Sequence, residues 1–85
     1  MAISRAYNVT RVDETALLKD VIQIKSIRYK GGADSSAVIR AKSNTGTIIW
    51  EENSSSNVYD PDVCITCSQG IHVTITGSAV LYLYS

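Results

Sequence analysis

Apolar and polar residues alternate with a period of two along most of the chain, and turn formers interrupt the alternation at short intervals. That pattern belongs to half-buried strands, whose successive side chains point to opposite faces. The first strand is predicted over 6–12, with Tyr7, Val9 and Arg11 on one side, and Asp13-Glu14 turns the chain. The stretch 15–20 is open between a helical turn and a brief strand, since Ala16, Leu17 and Leu18 satisfy both patterns. Residues 21–30 form the longest run. Ile22 and Ile24 share one parity and Ile27 and Tyr29 the other, so the phase slips near Lys25-Ser26, the mark of a β-bulge.

Further along, Gly31 to Ser36 reads as a loop and 37–42 as a strand. Asn44-Thr45-Gly46 supplies a tight hairpin in which Asn and Gly tolerate positive φ. The return strand covers 47–51 and carries Trp50; Asn53 to Asn57 is a polar, serine-rich loop, and Asp60-Pro61-Asp62 breaks the chain again. Strands at 63–67, 71–76 and 79–84 follow, joined as a meander by Ser68-Gln69-Gly70 and Gly77-Ser78. The last strand, Val80-Leu81-Tyr82-Leu83-Tyr84, is apolar on both parities. Such a strand is covered on both faces, by lying centrally in a sheet or by being capped by another chain. The expectation is one all-β domain over residues 1–85: a small antiparallel β-sandwich of seven or eight short strands, immunoglobulin-like or jelly-roll-like, with a loose N-terminal arm over about 1–5.

Composition agrees with strands. Val, Ile, Thr, Tyr and Trp supply 31 of the 85 residues, whereas Leu and Glu supply only four and three, which argues against a helical bundle. A chain this short buries roughly 60–65% of its unfolded surface, so association is a common source of added stability. The start, Met1 to Arg5, has no apolar signal core and no run approaches a membrane span, so the expected compartment is cytoplasm-like, with no membrane partner.

Charge changes the picture in one respect. Eight basic and eight acidic residues cancel, which argues against a dedicated duplex-DNA binder. Their distribution is uneven. Residues 19–42 hold Lys19, Lys25, Arg28, Lys30, Arg40 and Lys42 against Asp20 and Asp34; residues 43–85 hold Glu51, Glu52, Asp60 and Asp62 and no Lys or Arg. A dipolar domain can pair head to tail with copies of itself, and two solvated faces of opposite sign account for the same numbers.

Candidate chemistry is sparse. Cys64-Ile65-Thr66-Cys67 with His72 gives three ligands of a zinc knuckle, but the fourth position holds Gly77. On an extended strand the two thiols face opposite ways with Cα atoms about 10 Å apart, beyond disulfide reach. The expectation is therefore two small packing cysteines and no metal or cofactor. His72 sits on the polar parity of its strand without a local nucleophile or carboxylate. Glu51 and Glu52 face opposite ways, Asp60-Pro61-Asp62 lacks the remaining ligands of a calcium loop, and Gly31-Gly32 lacks the Lys-Ser/Thr of a phosphate loop. Asn8-Val9-Thr10 and Asn53-Ser54-Ser55 match glycosylation sequons, which are idle without secretion. No catalytic residues are expected. Lys25, Arg28, Tyr29, Lys30, Arg40 and Lys42 interleave one aromatic with cations, the combination a single-stranded nucleic-acid binder uses, although such grooves normally stack several bases and a solvated basic face has the same composition.

Five segments carry a resemblance over nearly the whole chain: Ser4-Arg5-Ala6-Tyr7-Asn8, Ile24 to Tyr29 before Gly31-Gly32, Gly46-Thr47-Ile48-Ile49, Gly70-Ile71-His72-Val73, and the closing Leu81-Tyr82-Leu83-Tyr84. Together they resemble the small β-sandwich virion proteins of tailed bacteriophages, notably those of aquatic bacteria, although that pattern usually lacks a CxxC. The resemblance implies a non-enzymatic structural protein made in the host cytoplasm and carried in the virion. Its partners would be the major capsid protein or other virion proteins. It would act as a decoration (cement) protein on the capsid, with a minor neck or tail component as the alternative and a single-stranded nucleic-acid-binding barrel as the rival from another class. Ile3, Arg5 and Tyr7 of the arm, and Leu81 and Leu83 on an exposed parity of the last strand, are the expected protein contacts.

Overall fold

The computed structural model describes residues 3–6, 9–19 and 23–85, with backbone alone for 3–6. Eleven short strands follow one another: β1 (Ile3–Ala6), β2 (Val9–Val12), β3 (Ala16–Leu18), β4 (Gln23–Ile24), β5 (Ser26–Lys30), β6 (Ser36–Ala41), β7 (Ile48–Glu52), β8 (Val58–Asp60), β9 (Ile65–Thr66), β10 (Ile71–Thr76) and β11 (Val80–Tyr84). All pairings are antiparallel. Five strands form one open sheet in the order β1-β2-β11-β5-β8, four form a second in the order β3-β10-β6-β7, and β4 pairs with β9 alone. Among the described residues no helix is long and apolar enough to cross a membrane.

The period-two pattern sets the inner faces. Val12, Ile27, Tyr29, Leu81 and Leu83 of the five-stranded sheet join Leu18, Ala37, Ile39, Ile71 and Val73 of the four-stranded sheet in one buried cluster, with Ile24 and Val63 closing it. This is a sandwich-like arrangement with one shared core. Fully burying each of the larger aliphatics stabilises the fold by roughly 1.5–3 kcal/mol. Trp50 packs against the cluster from β7 and is only partly covered.

The strand count exceeds seven or eight for local reasons. The phase slip at Lys25-Ser26 is a strand break. Ile24 is buried in β4 and Ile27 in β5, and Lys25 between them donates its N–H to the Tyr84 carbonyl while its own carbonyl accepts from Val63. The stretch at 15–20 contains a strand and not a helical turn. The Thr15 hydroxyl accepts the Ile75 N–H at 3.0 Å, which extends the ladder in which Leu17 faces His72. The short segment at 58–60 adds a further strand, β8, which pairs with β5.

Three expectations need correction. The arm over 1–5 is not loose throughout: Ser4 and Arg5 pair with Arg11 and Thr10, because β2 otherwise leaves a row of backbone donors and acceptors unpaired. The closing strands are not a meander. β9 pairs with β4, β10 lies in the four-stranded sheet and β11 in the five-stranded one, so the chain crosses the sandwich at Gly77-Ser78. Gly77 has φ of 70°, and a Cβ there would stand 2.7 Å from the Asp34 carbonyl oxygen, so this crossing requires glycine. In the 41–47 hairpin the left-handed residue is Lys42, with φ of 72°, and not Asn44 or Gly46.

Placed between β2 and β5, β11 is covered on one face by the core and on its flanks by neighbours. Leu81 and Leu83 therefore lie inside, and the expectation that they form an exposed contact face is overturned: they are 0% and 2% exposed. The outward parity of this strand is Val80, Tyr82 and Tyr84, all half-buried.

Candidate functional site

The outer face of the five-stranded sheet collects arginine and tyrosine. Register places Arg11 of β2 opposite Tyr82 of β11, Tyr82 opposite Arg28 of β5, and Arg28 opposite Tyr59 of β8. One row across four strands thus reads Arg-Tyr-Arg-Tyr. Flanking rows add Val9, Tyr84 and Ser26 on one side and Val80 with Lys30 on the other. The Arg28 guanidinium carbon lies 4.2 Å from the centroid of the Tyr59 ring, a cation–π contact that holds a long side chain in one place. Arg11 is tied differently, through a 2.8 Å ion pair with Asp13. The Asp13 carboxylate and the Tyr82 hydroxyl beside it raise the Arg11 pKa above its already high ordinary value.

Over this row opens a cleft of about 360 Å³, lined by Arg28, Lys30, Asn57, Val58, Tyr59 and Tyr82 above the buried Tyr29. Its far wall is positioned by the serine-rich loop. The Tyr29 hydroxyl donates to the Ser54 carbonyl at 2.7 Å, and the Ser54 hydroxyl accepts the Ser56 N–H at 3.0 Å. Gly31 lets the loop close in, since a Cβ at Gly31 would stand 2.7 Å from the carbonyl oxygens of both Ser54 and Ser56. These contacts seat the loop that carries Asn57, whereas Tyr59 is placed by the register of β8 on β5. Burial pushes the Tyr29 phenol pKa up, with the Glu52 charge adding to the rise and a hydrogen bond with Ser35 partly opposing it. Among the described residues no carboxylate lines the cleft. Among the described residues, neither Arg28 nor Lys30 has an ion-pair partner.

The outer face of the four-stranded sheet is chemically different. Its corresponding row runs Leu17 of β3, His72 of β10, Arg40 of β6 and Ile48 of β7. Leu17 and Ile48, at the two ends, are 45% and 44% exposed. Arg40 donates to the Gly46 carbonyl at 3.3 Å, and His72 Nδ1 lies 3.4 Å from the Thr74 hydroxyl.

The structure therefore divides the basic set read from the sequence. Arg28 and Lys30 line the cleft, Arg40 lies on the other sheet, Lys25 and Lys42 are exposed at bends, and Tyr29 is 1% exposed and belongs to the core. Ile3 and Arg5 lie on edge strand β1, and Tyr7 falls outside the described residues. Tyr59 and Tyr82, which sequence reasoning did not place at a site, are brought beside Arg28 by register alone. The available signal was parity: Tyr82 alternates with two leucines that the core requires.

Cys64 is exposed and Cys67 half-buried; both are free thiols beside a second cleft of about 330 Å³ that includes Ala41 and Ile49. Among the described residues no group of three His, Cys, Asp or Glu stands close enough to hold a metal ion. No protein-family model, curated protein or solved structure matches the chain.

Proposed function

We propose that this chain is a non-enzymatic structural protein of a tailed-phage virion, one that decorates and reinforces the capsid by docking on the major shell protein. It would be synthesised in the host cytoplasm and act on the virion surface, its sandwich being of the immunoglobulin-like or jelly-roll-like kind. The observation that carries the docking mode is the pair of exposed aliphatics, Leu17 and Ile48, bracketing one row of the four-stranded sheet. Exposed apolar side chains of that size on a small domain suit a surface covered by another protein. A standard interface buries about 800 Å² per partner, roughly one sixth of this chain's 5013 Å² of accessible surface, so one face suffices. The mechanism is added interface area: a subunit that bridges neighbouring shell proteins stabilises the assembled state by mass action. Ile3 and Arg5, on the edge strand β1, are further candidate contacts.

Quantitative mass spectrometry of purified virions tests this reading. Copies comparable to those of the major shell protein support decoration. A small fraction of that number transfers the protein to the neck or tail, and absence from virions overturns the structural role. A second reading, single-stranded nucleic-acid binding, is favoured by the Arg28, Tyr59 and Tyr82 constellation. Salt-dependent binding of an oligonucleotide, lost on neutralising Arg28 and Lys30, would decide for it.

A further inference from the structure

The cleft on the five-stranded sheet has the size and chemistry of a small-ligand site. Its volume of about 360 Å³ falls within the range of ligand pockets. Two cations, Arg28 and Lys30, line it, and among the described residues no carboxylate stands in the lining to neutralise them. Stacking on Tyr59 already orders Arg28, so less side-chain entropy is lost when an anion is bound. The Asn57 amide and the phenols of Tyr59 and Tyr82 supply both donors and acceptors of hydrogen bonds.

We propose that this cleft binds an anionic sugar: a polyhydroxylated ring bearing one carboxylate or phosphate, held by Arg28 and Lys30, with Tyr82 and Asn57 meeting its hydroxyls. The pairing of charge with neutral polar groups selects this class. A purely inorganic anion would use only the donors of the phenols and the amide and leave their acceptor oxygens unmatched. A nucleic-acid strand needs several free aromatic faces and a longer basic track, whereas one face of Tyr59 is occupied by Arg28 and the chain's net charge is zero. The site faces away from the Leu17 and Ile48 row, so it does not depend on the docking role proposed above.

The test is isothermal titration of the full chain, with backbone NMR to map the site. Two anionic probes, galacturonate and glucose 6-phosphate, distinguish a uronate from a sugar phosphate; maltotriose is the neutral control and an oligothymidylate the nucleic-acid control. Saturable, salt-sensitive binding of either anionic probe is expected at millimolar concentration, with shifts centred on Asn57, Tyr59 and Tyr82. Arg28→Gln should weaken it about tenfold, the loss expected for one charge-assisted hydrogen bond. Lys30→Gln should weaken it less, and a retained NMR spectrum shows that each variant is folded. The proposal is overturned if neither anionic probe binds, if maltotriose binds equally well, if Arg28→Gln binds like the parent, or if the oligothymidylate binds tighter than both sugars. Copy number in virions is unaffected by any of these outcomes, so this site and the docking role can fail separately.

Discussion

The two outer faces of the sandwich are built by the same rule and end with opposite chemistry. Each presents one row of four side chains across four strands. On the five-stranded sheet the row is Arg11, Tyr82, Arg28 and Tyr59; on the four-stranded sheet it is Leu17, His72, Arg40 and Ile48. The core constrains neither row: seven members lie on the parity the core does not use, and Ile48, which shares parity with the core-packed Trp50, is set opposite Arg40 by a register shift between β6 and β7. The first is cationic and aromatic beside a cleft, suited to a small polar anion. The second has aliphatic ends, suited to a protein surface. The two proposed binding roles thus use different residues of an 85-residue chain.

The sharpest way to break the comparison is to exchange inner for outer. Leu81 is fully buried, and Leu81→Ala should cost about 2–5 kcal/mol in urea unfolding, by lost transfer energy and the cavity left behind. Its exposed counterpart, Leu17→Ser, should change stability by less than about 1 kcal/mol, because surface substitutions away from special features cost little. A Leu17→Ser penalty as large as that of Leu81→Ala would show that Leu17 belongs to the core.

Next in size is the bond that seats the serine-rich loop. Tyr29→Phe should cost about 1 kcal/mol, the net value of the hydrogen bond from its hydroxyl to the Ser54 carbonyl, and should loosen the cleft wall. The same hydroxyl gives a pH signature. Its folded pKa is raised by burial above the ordinary 10.0, so the fold favours the neutral phenol. Stability should be fully present below about pH 10 and fall as pH rises from there toward the folded pKa. The alkaline limb of the urea midpoint should flatten in Tyr29→Phe; an unchanged limb would remove Tyr29 as its source.

The smallest expected effect is at Arg11. Its ion pair with Asp13 is exposed to solvent, so Asp13→Asn should leave the urea midpoint almost unchanged, and the small difference should vanish in high salt. A larger loss would mean that Arg11 anchors the cationic row, which the stacking of Arg28 on Tyr59 otherwise does.

Much of the local structure was legible in the sequence. The limits of β10, Ile71 to Thr76, follow from alternation alone, and the break at Lys25 follows from the parity change between Ile24 and Ile27. Partnership was not legible. Nothing in a period of two says that β10 and β11, separated by three residues, lie in different sheets, or that Arg28 faces both Tyr82 and Tyr59. Parity also cannot say which of two apolar faces is inside. Parity alone offers Leu81 and Leu83 as a contact surface and Tyr29 as part of a basic groove, yet all three are core, because branched aliphatics and one large ring fill the thin space between the sheets. The Arg28, Tyr59 and Tyr82 group was invisible for the same reason: its members come from three strands joined only by register.

The most direct test of the proposed division of labour is rebinding of the purified protein to phage capsids that lack it. The double variant Leu17→Ser, Ile48→Ser should fail to rebind while Arg28→Gln rebinds like the parent. Rebinding by the double variant together with loss in Arg28→Gln would contradict it, and would make the five-stranded face the docking surface.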